Sequence, residues 1–545
     1  MLLVVLIIAT LLRFYHLGQN PPSLSWDEVA WGYNAYSLGI DGRDEFGKFL
    51  PLQYLESFGD FKPPLYAYLD ILPVKFFGLN EFSVRFPSAF FGVLTVLITY
   101  FLVKRIFPKT QQFSIFNFQF SIEEMSVFLL AISPWHINLS RAAFEANVAT
   151  FFLVAGVWLF LLGIQKRSWY IVLSLVSFIL SMYAFNTARI VAPLLVLVLT
   201  SGFRRRLLGM KRQVLTTIIV GSILIMPLAT FLLTPQAQLR FREVNIFSDL
   251  GVIERTNQQT ANDNNIWWSR ILHNRRSTFS VEYLKHYFDH FNPSFLFIKG
   301  DGNPKFSTQD VGQLYLLDAV FLVAGLLLLL RKREGNWWLV PIWLVIGIIP
   351  AATARETPHA LRIEATLPTF QILVAIGVTE FILWVKKVRA TNSFKFLIVI
   401  FTFSFLLFNF LYYYHGYYAH YPREFSGEWQ YGYREMISYI KTVERKYDAI
   451  VFAEALGRPY IYVLFYTKED PKVFRKTANI FREVYGFVHV RGYGKYIFIK
   501  NVGDVTSDGK RVLYVDIPDM VPKSARILNT VSLLNGQKAL VAYSL

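Results

Sequence analysis

The chain reads as a polytopic α-helical membrane protein of about eleven spans, with a soluble α/β domain at its C-terminal end. Three observations predict this. Hydrophobic residues fill 54% of the 545 positions and charged residues only 17%, below the roughly 25% usual in soluble domains. Apolar runs of near-membrane length recur through the first three quarters. Beyond residue 415 they give way to short alternating segments and an amphipathic stretch.

Candidate spans cover residues 1–17, 84–103, 124–139, 146–164, 169–184, 188–202, 213–234, 313–330, 336–352, 366–385 and 394–413. The first is expected to be a retained span, since no basic stretch opens it and no small-residue cleavage site precedes Trp26. Basic residues then gather in alternate loops. They are Lys104, Arg105 and Lys109; Lys166 and Arg167; Arg204, Arg205, Arg206, Lys211 and Arg212; Arg331, Lys332 and Arg333; and Lys386, Lys387, Arg389 and Lys395. The positive-inside rule makes these loops cytoplasmic. The outer side then receives loops 18–83 and 235–312, the turns near 136–145, 185–189 and 353–365, and everything after about 414. This sets the expected domains: a membrane domain over 1–414 and an extracytoplasmic α/β domain over 415–545.

In the tail, residues 428–446 read as an amphipathic helix, and 449–452, 496–499 and 512–515 as strands. An Asn535-Gly536 turn between 527–534 and 539–543 predicts a closing hairpin. About 130 residues suffice for one small domain. The net charge of +17 would suit nucleic acid, but many of the charges sit in short loops between spans, so no nucleic acid is expected. The absence of cysteine excludes disulfides, zinc–thiolate sites and thiol catalysis.

The polar motifs fall on the outer side. Asp27 and Glu28 lie beside Trp26 and Trp31 just past the first span, where contact with lipid would be costly. They suit a base at the membrane surface; the simpler reading is a solvated helix whose first turn carries both acids after Ser23 or Ser25. In Asp60-Phe61-Lys62-Pro63-Pro64-Leu65 the prolines can start a helix, setting Lys62 at an anion-favouring N-terminus. A snorkelling lysine is the alternative. Arg141 and Glu145 are spaced to pair along one helix face, or Glu145 serves as a second acid. Arg355, His359 and Arg362 cluster at an outer edge where positive charge is disfavoured, and a phosphate or lipid headgroups would account for them. Loop 235–312 adds Arg240, Arg242, His273, Arg275, Arg276, Lys285, His286 and His290 among aromatics, which fits a cap over a lipid-linked sugar. The histidines show no metal-ligand spacing.

Taken in order, Trp26-Asp27-Glu28, Gly39-Ile40-Asp41-Gly42, Lys62-Pro63-Pro64-Leu65 and Val84-Arg85-Phe86-Pro87-Ser88 resemble the first outer loop of GT-C class membrane glycosyltransferases. The likeness is to the protein O-mannosyltransferase and aminoarabinose transferase superfamily, over roughly 1–415. It implies a GT-C fold and a polyprenyl-phosphate sugar as donor. It implies Asp27 as the essential acid and Glu145 as the second outer-loop acid; Glu28, next to Asp27, is expected to help orient acceptor or base with Glu145. It also implies Lys62 and Arg362 at the carrier phosphate; from their positions Arg141 and Arg355 are expected beside them, with Asp60 and His359 in support. One departure touches cofactors. Aminoarabinose transferases carry a metal-linked glutamate before that lysine; here Phe61 stands there, after Asp60. No metal ligand set is therefore assigned, and a divalent metal stays open.

The expected function is inverting sugar transfer to an acceptor hydroxyl of a glycan, lipid or protein, at the outer face of the plasma membrane. The rivals are a glycan polymerase or ligase using lipid-pyrophosphate donors, a lipid-linked sugar transporter or flippase, and a non-catalytic glycan-binding protein. Mid-span regions nearly free of charge disfavour the transporter.

Overall fold

The computed structural model describes residues 1–108, 113–115, 118–238, 245–389, 391–483, 488–502 and 509–545. Lys109, Arg240 and Arg242 lie outside the described residues. Every candidate span falls on helix, as the long apolar runs require. Among the described residues five helical stretches are long and apolar enough to cross a bilayer: Glu81–Ile106, Glu145–Gln165, Lys211–Leu232, Thr369–Lys387 and Asn392–Glu424. Shorter apolar helices include Leu2–Phe14, Tyr170–Ala184, Ala188–Gly202 and Asp318–Lys332. This is a helical membrane protein.

Two elements depart from the expected spans. The helix expected over 124–139 is broken into Ile122–Ile132 and Pro134–Arg141, because Pro134 has no N–H to continue the first helix and opens the second. The following helix starts at Glu145. The one-helix spacing of Arg141 and Glu145 is therefore lost, and the turn narrows to residues 142–144. Likewise Leu339–Ile348 stops just before Pro350, and the chain resumes as a 3₁₀ turn, Ala351–Thr353.

The chain divides into two compact units, Met1–Leu12, Phe91–Leu139 and Glu145–Tyr413 in one, and Arg13–Phe90, Ser140–Phe144 and Tyr414–Leu545 in the other. The first unit is helical, with an apolar cluster of Met125, Leu129, Phe321, Val374, Ala375, Val378 and Ile382. One close helix contact in it uses two glycines. A Cβ at Gly325 would lie 1.9 Å from the Leu373 carbonyl oxygen, and one at Gly377 would lie 2.1 Å from that of Phe321. Small residues let backbones approach where lipid gives no hydrophobic drive for helix pairing.

The second unit joins the first outer loop to the tail. Its sheet runs in the order Arg526–Ser532, Lys538–Ser544, Val512–Asp516, Ala449–Ala453, Tyr496–Ile499, Val488–Tyr493, Asn479–Arg482. Ala449–Ala453 lies parallel to both of its neighbours and all but its first residue is buried, as a parallel core strand must be. The expected strands and the Asn535-Gly536 hairpin are present. The helix expected over 428–446 is shorter, Tyr433–Val443, because Gly432 sits at φ +116° and bars an earlier start.

Gly325→Val and Gly377→Val should each force the two helices apart. The expected result is a lower melting midpoint in detergent or loss of folded protein, while Gly302→Ala, with open space around it, leaves melting unchanged.

Candidate active site

The helix Trp26–Asp41 begins at a capping box. The Ser25 hydroxyl accepts from the Glu28 amide, and the Glu28 carboxylate accepts from the Ser25 amide at 2.8 Å. The acids are thus first-turn residues, as the simpler reading of the sequence had it. Their surroundings nevertheless differ sharply: the Asp27 side chain is 53% exposed and that of Glu28 only 1%.

Lys62 pairs with Asp27 and is itself buried. Its ammonium lies 5.2 Å from the Trp31 ring centre and 5.1 Å from that of Phe58, an aromatic seat for a cation. It does not start a helix, which corrects the expected placement. Lys62 ends the strand Asp60–Lys62, paired antiparallel with Leu55–Ser57, and the next helix opens at Leu65. The tight turn is made by Phe58 and Gly59, both at positive φ. Asp60 lies on this hairpin opposite Ser57.

Glu28 is fully engaged. Its carboxylate accepts from Arg85 Nε at 2.9 Å, from the Ala143 amide at 3.0 Å and from Ser25. Arg85, wholly buried, also donates to the carbonyls of Leu17, Pro21 and Ser23. Arg141 is equally buried. It donates to the carbonyls of Arg13, Tyr15 and Asn20 and to the Tyr417 hydroxyl. Both arginines hold the segment that leads into the Asp27 helix.

A third constellation had no sequence signal. Asn34, one helical turn past Ala30, donates to Ser57 Oγ at 3.3 Å and to Glu45 Oε1 at 3.4 Å. Ser57 donates to the same Glu45 oxygen at 2.7 Å, and the Glu45 amide donates to Asn34 Oδ1 at 3.0 Å. Burial pushes the Glu45 carboxyl up to about 8.

The remaining candidates belong to the other unit. Arg355 donates to the Asn245 carbonyl at 3.2 Å and Arg362 to that of Glu356 at 3.2 Å. His359 stacks near Phe306, and its Nδ1 lies 3.9 Å from Asp301 Oδ2. Asp301 was not anticipated from the sequence. It accepts from the Ala360 amide at 2.6 Å, and burial raises its carboxyl to about 6. Burial and the Arg362 charge lower His359, so it is neutral at neutral pH. Glu145 opens its helix, and the buried Glu364 is raised by desolvation and by Glu145. Among the described residues no group of three or more histidines and acids is placed to hold a metal ion.

Residues 61–231 match the family described as dolichyl-phosphate-mannose-protein mannosyltransferase. The fold is that of ArnT from Cupriavidus metallidurans: against its crystal structure bound to undecaprenyl phosphate the TM-score is 0.53 at 12% identity, covering 99% of this chain and 97% of that one. A protein of Aquifex aeolicus (strain VF5) is 30% identical over 159 residues, 29% of this chain and 28% of that protein. The Bacillus subtilis (strain 168) protein named "Putative mannosyltransferase YkcB" is 28% identical over 126 residues, 23% of this chain and 16% of that protein. The matched stretches therefore span less than a third of these two curated relatives. In fold the chain is of the GT-C class. Over residues 61–231 the chain resembles the dolichyl-phosphate-mannose-protein mannosyltransferase family, and over nearly its whole length the likeness to ArnT is one of fold.

Removing one partner of the buried Glu28–Arg85 pair leaves an uncompensated charge, at a cost of roughly 3–5 kcal/mol. Glu28→Gln and Arg85→Met should each lower the melting midpoint in detergent, with the double variant recovering part of the loss.

Proposed function

We propose that this protein is an inverting glycosyltransferase. It moves a hexosyl or pentosyl group from a polyprenyl-phosphate carrier to an acceptor hydroxyl at the outer face of the plasma membrane. The observation that carries this is the Asp27–Lys62 pair, a half-exposed carboxylate held to a buried ammonium. An arriving phosphate competes with Asp27 for the Lys62 ammonium. The exposed carboxylate is the partner that can then turn toward an acceptor in solvent.

The chemistry follows from those two groups. Asp27 takes the proton of the acceptor hydroxyl. The acceptor oxygen bonds to the anomeric carbon from the face opposite the phosphate. The bond from that carbon to the phosphate oxygen breaks, and its electron pair stays on the phosphate, where Lys62 offsets the charge. Trp31, Phe58 and Tyr66 supply aromatic surface beside the pair. Glu28 and Arg141 act by fixing the backbone that presents Asp27. Arg355 and Arg362 are proposed as anion contacts of the other unit, with Glu145 as an acid there.

The carrier reading is supported by the family description, which names dolichyl-phosphate-mannose, and by the ArnT structure, which holds undecaprenyl phosphate. Eleven spans, with the tail extracytoplasmic, complete the proposal.

Purified protein should release free polyprenyl phosphate from at least one radiolabelled polyprenyl-phosphate sugar in a panel. Asp27→Asn should lower kcat by about 10²–10⁴, the usual contribution of a positioned base, and Lys62→Met should weaken donor turnover. Consumption of lipid-pyrophosphate sugars alone would establish a polymerase or ligase instead. Glycan binding without any turnover would end the catalytic reading.

Because the chain has no cysteine, single introduced thiols report topology directly. An impermeant maleimide on intact cells should label Asn535→Cys, and should reach Lys166→Cys only after permeabilisation.

A further inference from the structure

The buried triad of Asn34, Glu45 and Ser57 joins three pieces of chain. Asn34 belongs to the helix that carries Asp27, and Ser57 to the hairpin that carries Lys62. Glu45 lies in the connection between them, and all three side chains are essentially inaccessible. Residues opposite one another in an antiparallel pair point to the same side. Lys62 faces Leu55, and Leu55 shares a side with Ser57, so the ammonium and the Ser57 hydroxyl lie on one buried face of the hairpin.

Among the described residues the second carboxylate oxygen, Glu45 Oε2, is buried and makes no hydrogen bond within 3.5 Å; the one hydroxyl that interacts with the carboxylate from the tail, that of Tyr460, is a neutral donor and brings no charge. An anion so placed is costly, while a neutral acid is less so. The neighbouring cation, Lys62, already has Asp27. An ionised Glu45 would also compete with a phosphate for that ammonium.

We propose that Glu45 is a positioning residue: as a neutral acid it fastens the Lys62 hairpin to the Asp27 helix and leaves the Lys62 charge to the donor phosphate. The second half of this rests on the transferase reading; the first half does not. Desolvation supports it by raising the carboxyl from the ordinary 4.5 to about 8. The titratable and charged groups facing it are Asp44 on its own loop, Lys62 on the hairpin, Tyr33 on the Asp27 helix and Tyr460 on the helix Pro459–Thr467. Burial raises both tyrosines, so they stay neutral across the range that matters.

The sign is fixed by linkage. The unfolded glutamate loses its proton near 4.5 and the folded one near about 8. The stabilisation is therefore complete at low pH, falls across that window and is gone above it.

The test is hydrogen exchange of residues 55–62 in the full-length protein, divided by the intrinsic exchange rate, between pH 5.5 and 9. Wild type should lose protection by up to about tenfold per pH unit and level off near pH 8. Glu45→Gln should keep protection and abolish the slope, Glu45→Ala should lose protection at every pH, and Asp44→Asn should keep the slope. Should Glu45→Gln fail to fold, Ser57→Ala reads the same link through faster exchange confined to 55–62. In turnover, the wild-type alkaline limb near pH 8 should fall on the donor KM and vanish in Glu45→Gln. A flat wild-type profile, or a Gln variant that keeps the wild-type slope, overturns the proposal. The exchange slope without turnover of any donor would uphold the fastening role and remove the transferase reading. Turnover without the slope would do the reverse.

Discussion

The buried ion pair of Glu28 and Arg85 is the constraint on which the first outer loop depends. An arginine near the start of an apolar helix and an acid just beyond a span are each costly alone. Here each is the other's remedy, and the hydrogen bonds left over organise the chain around them. Arg85 gathers the carbonyls of Leu17, Pro21 and Ser23. Glu28 closes the capping box with Ser25 and takes the Ala143 amide. One carboxylate thereby fixes where the helix Trp26–Asp41 starts and which way its first turn faces.

Exposure then divides the charges by role. Glu28, Arg85 and Arg141 are sealed and bonded to backbone, so they hold structure. Asp27 is half exposed and pairs with a lysine on a separate hairpin, so it retains access to solvent. The tail contributes clamps to the same loop. Arg475 pairs with Asp41 and bonds Ser37, and Arg482 grips the Glu56 carboxylate from both sides. Within this unit the C-terminal segment buttresses the loop that bears the candidate base and the candidate phosphate cation.

Much of this was legible in the sequence because its signals are local. Long apolar runs produced helices because a helix satisfies its backbone hydrogen bonds within a single segment in lipid. The strands were readable at 449–452, 496–499 and 512–515 from β-branched and aromatic runs, each to within a residue of its observed end, and the last hairpin from Asn-Gly. The strand Asn479–Arg482 was not, since all four of its residues are exposed and carry no alternation. Pro134 was visible, but whether it would bend one helix or separate two depended on packing beyond it. Lys62 looked like the start of a helix because two prolines follow it. The positive-φ turn at Phe58 and Gly59 folds the chain back instead and makes that lysine the end of a strand.

The sequence by itself determined the membrane-helical class, the acid pair at the membrane edge and the lysine before the double proline. Only the tertiary structure decided which acid is sealed in and which keeps access to solvent. The choice was made by Arg85 and Ala143, 57 and 115 positions from Glu28, through burial that no local window of sequence contains.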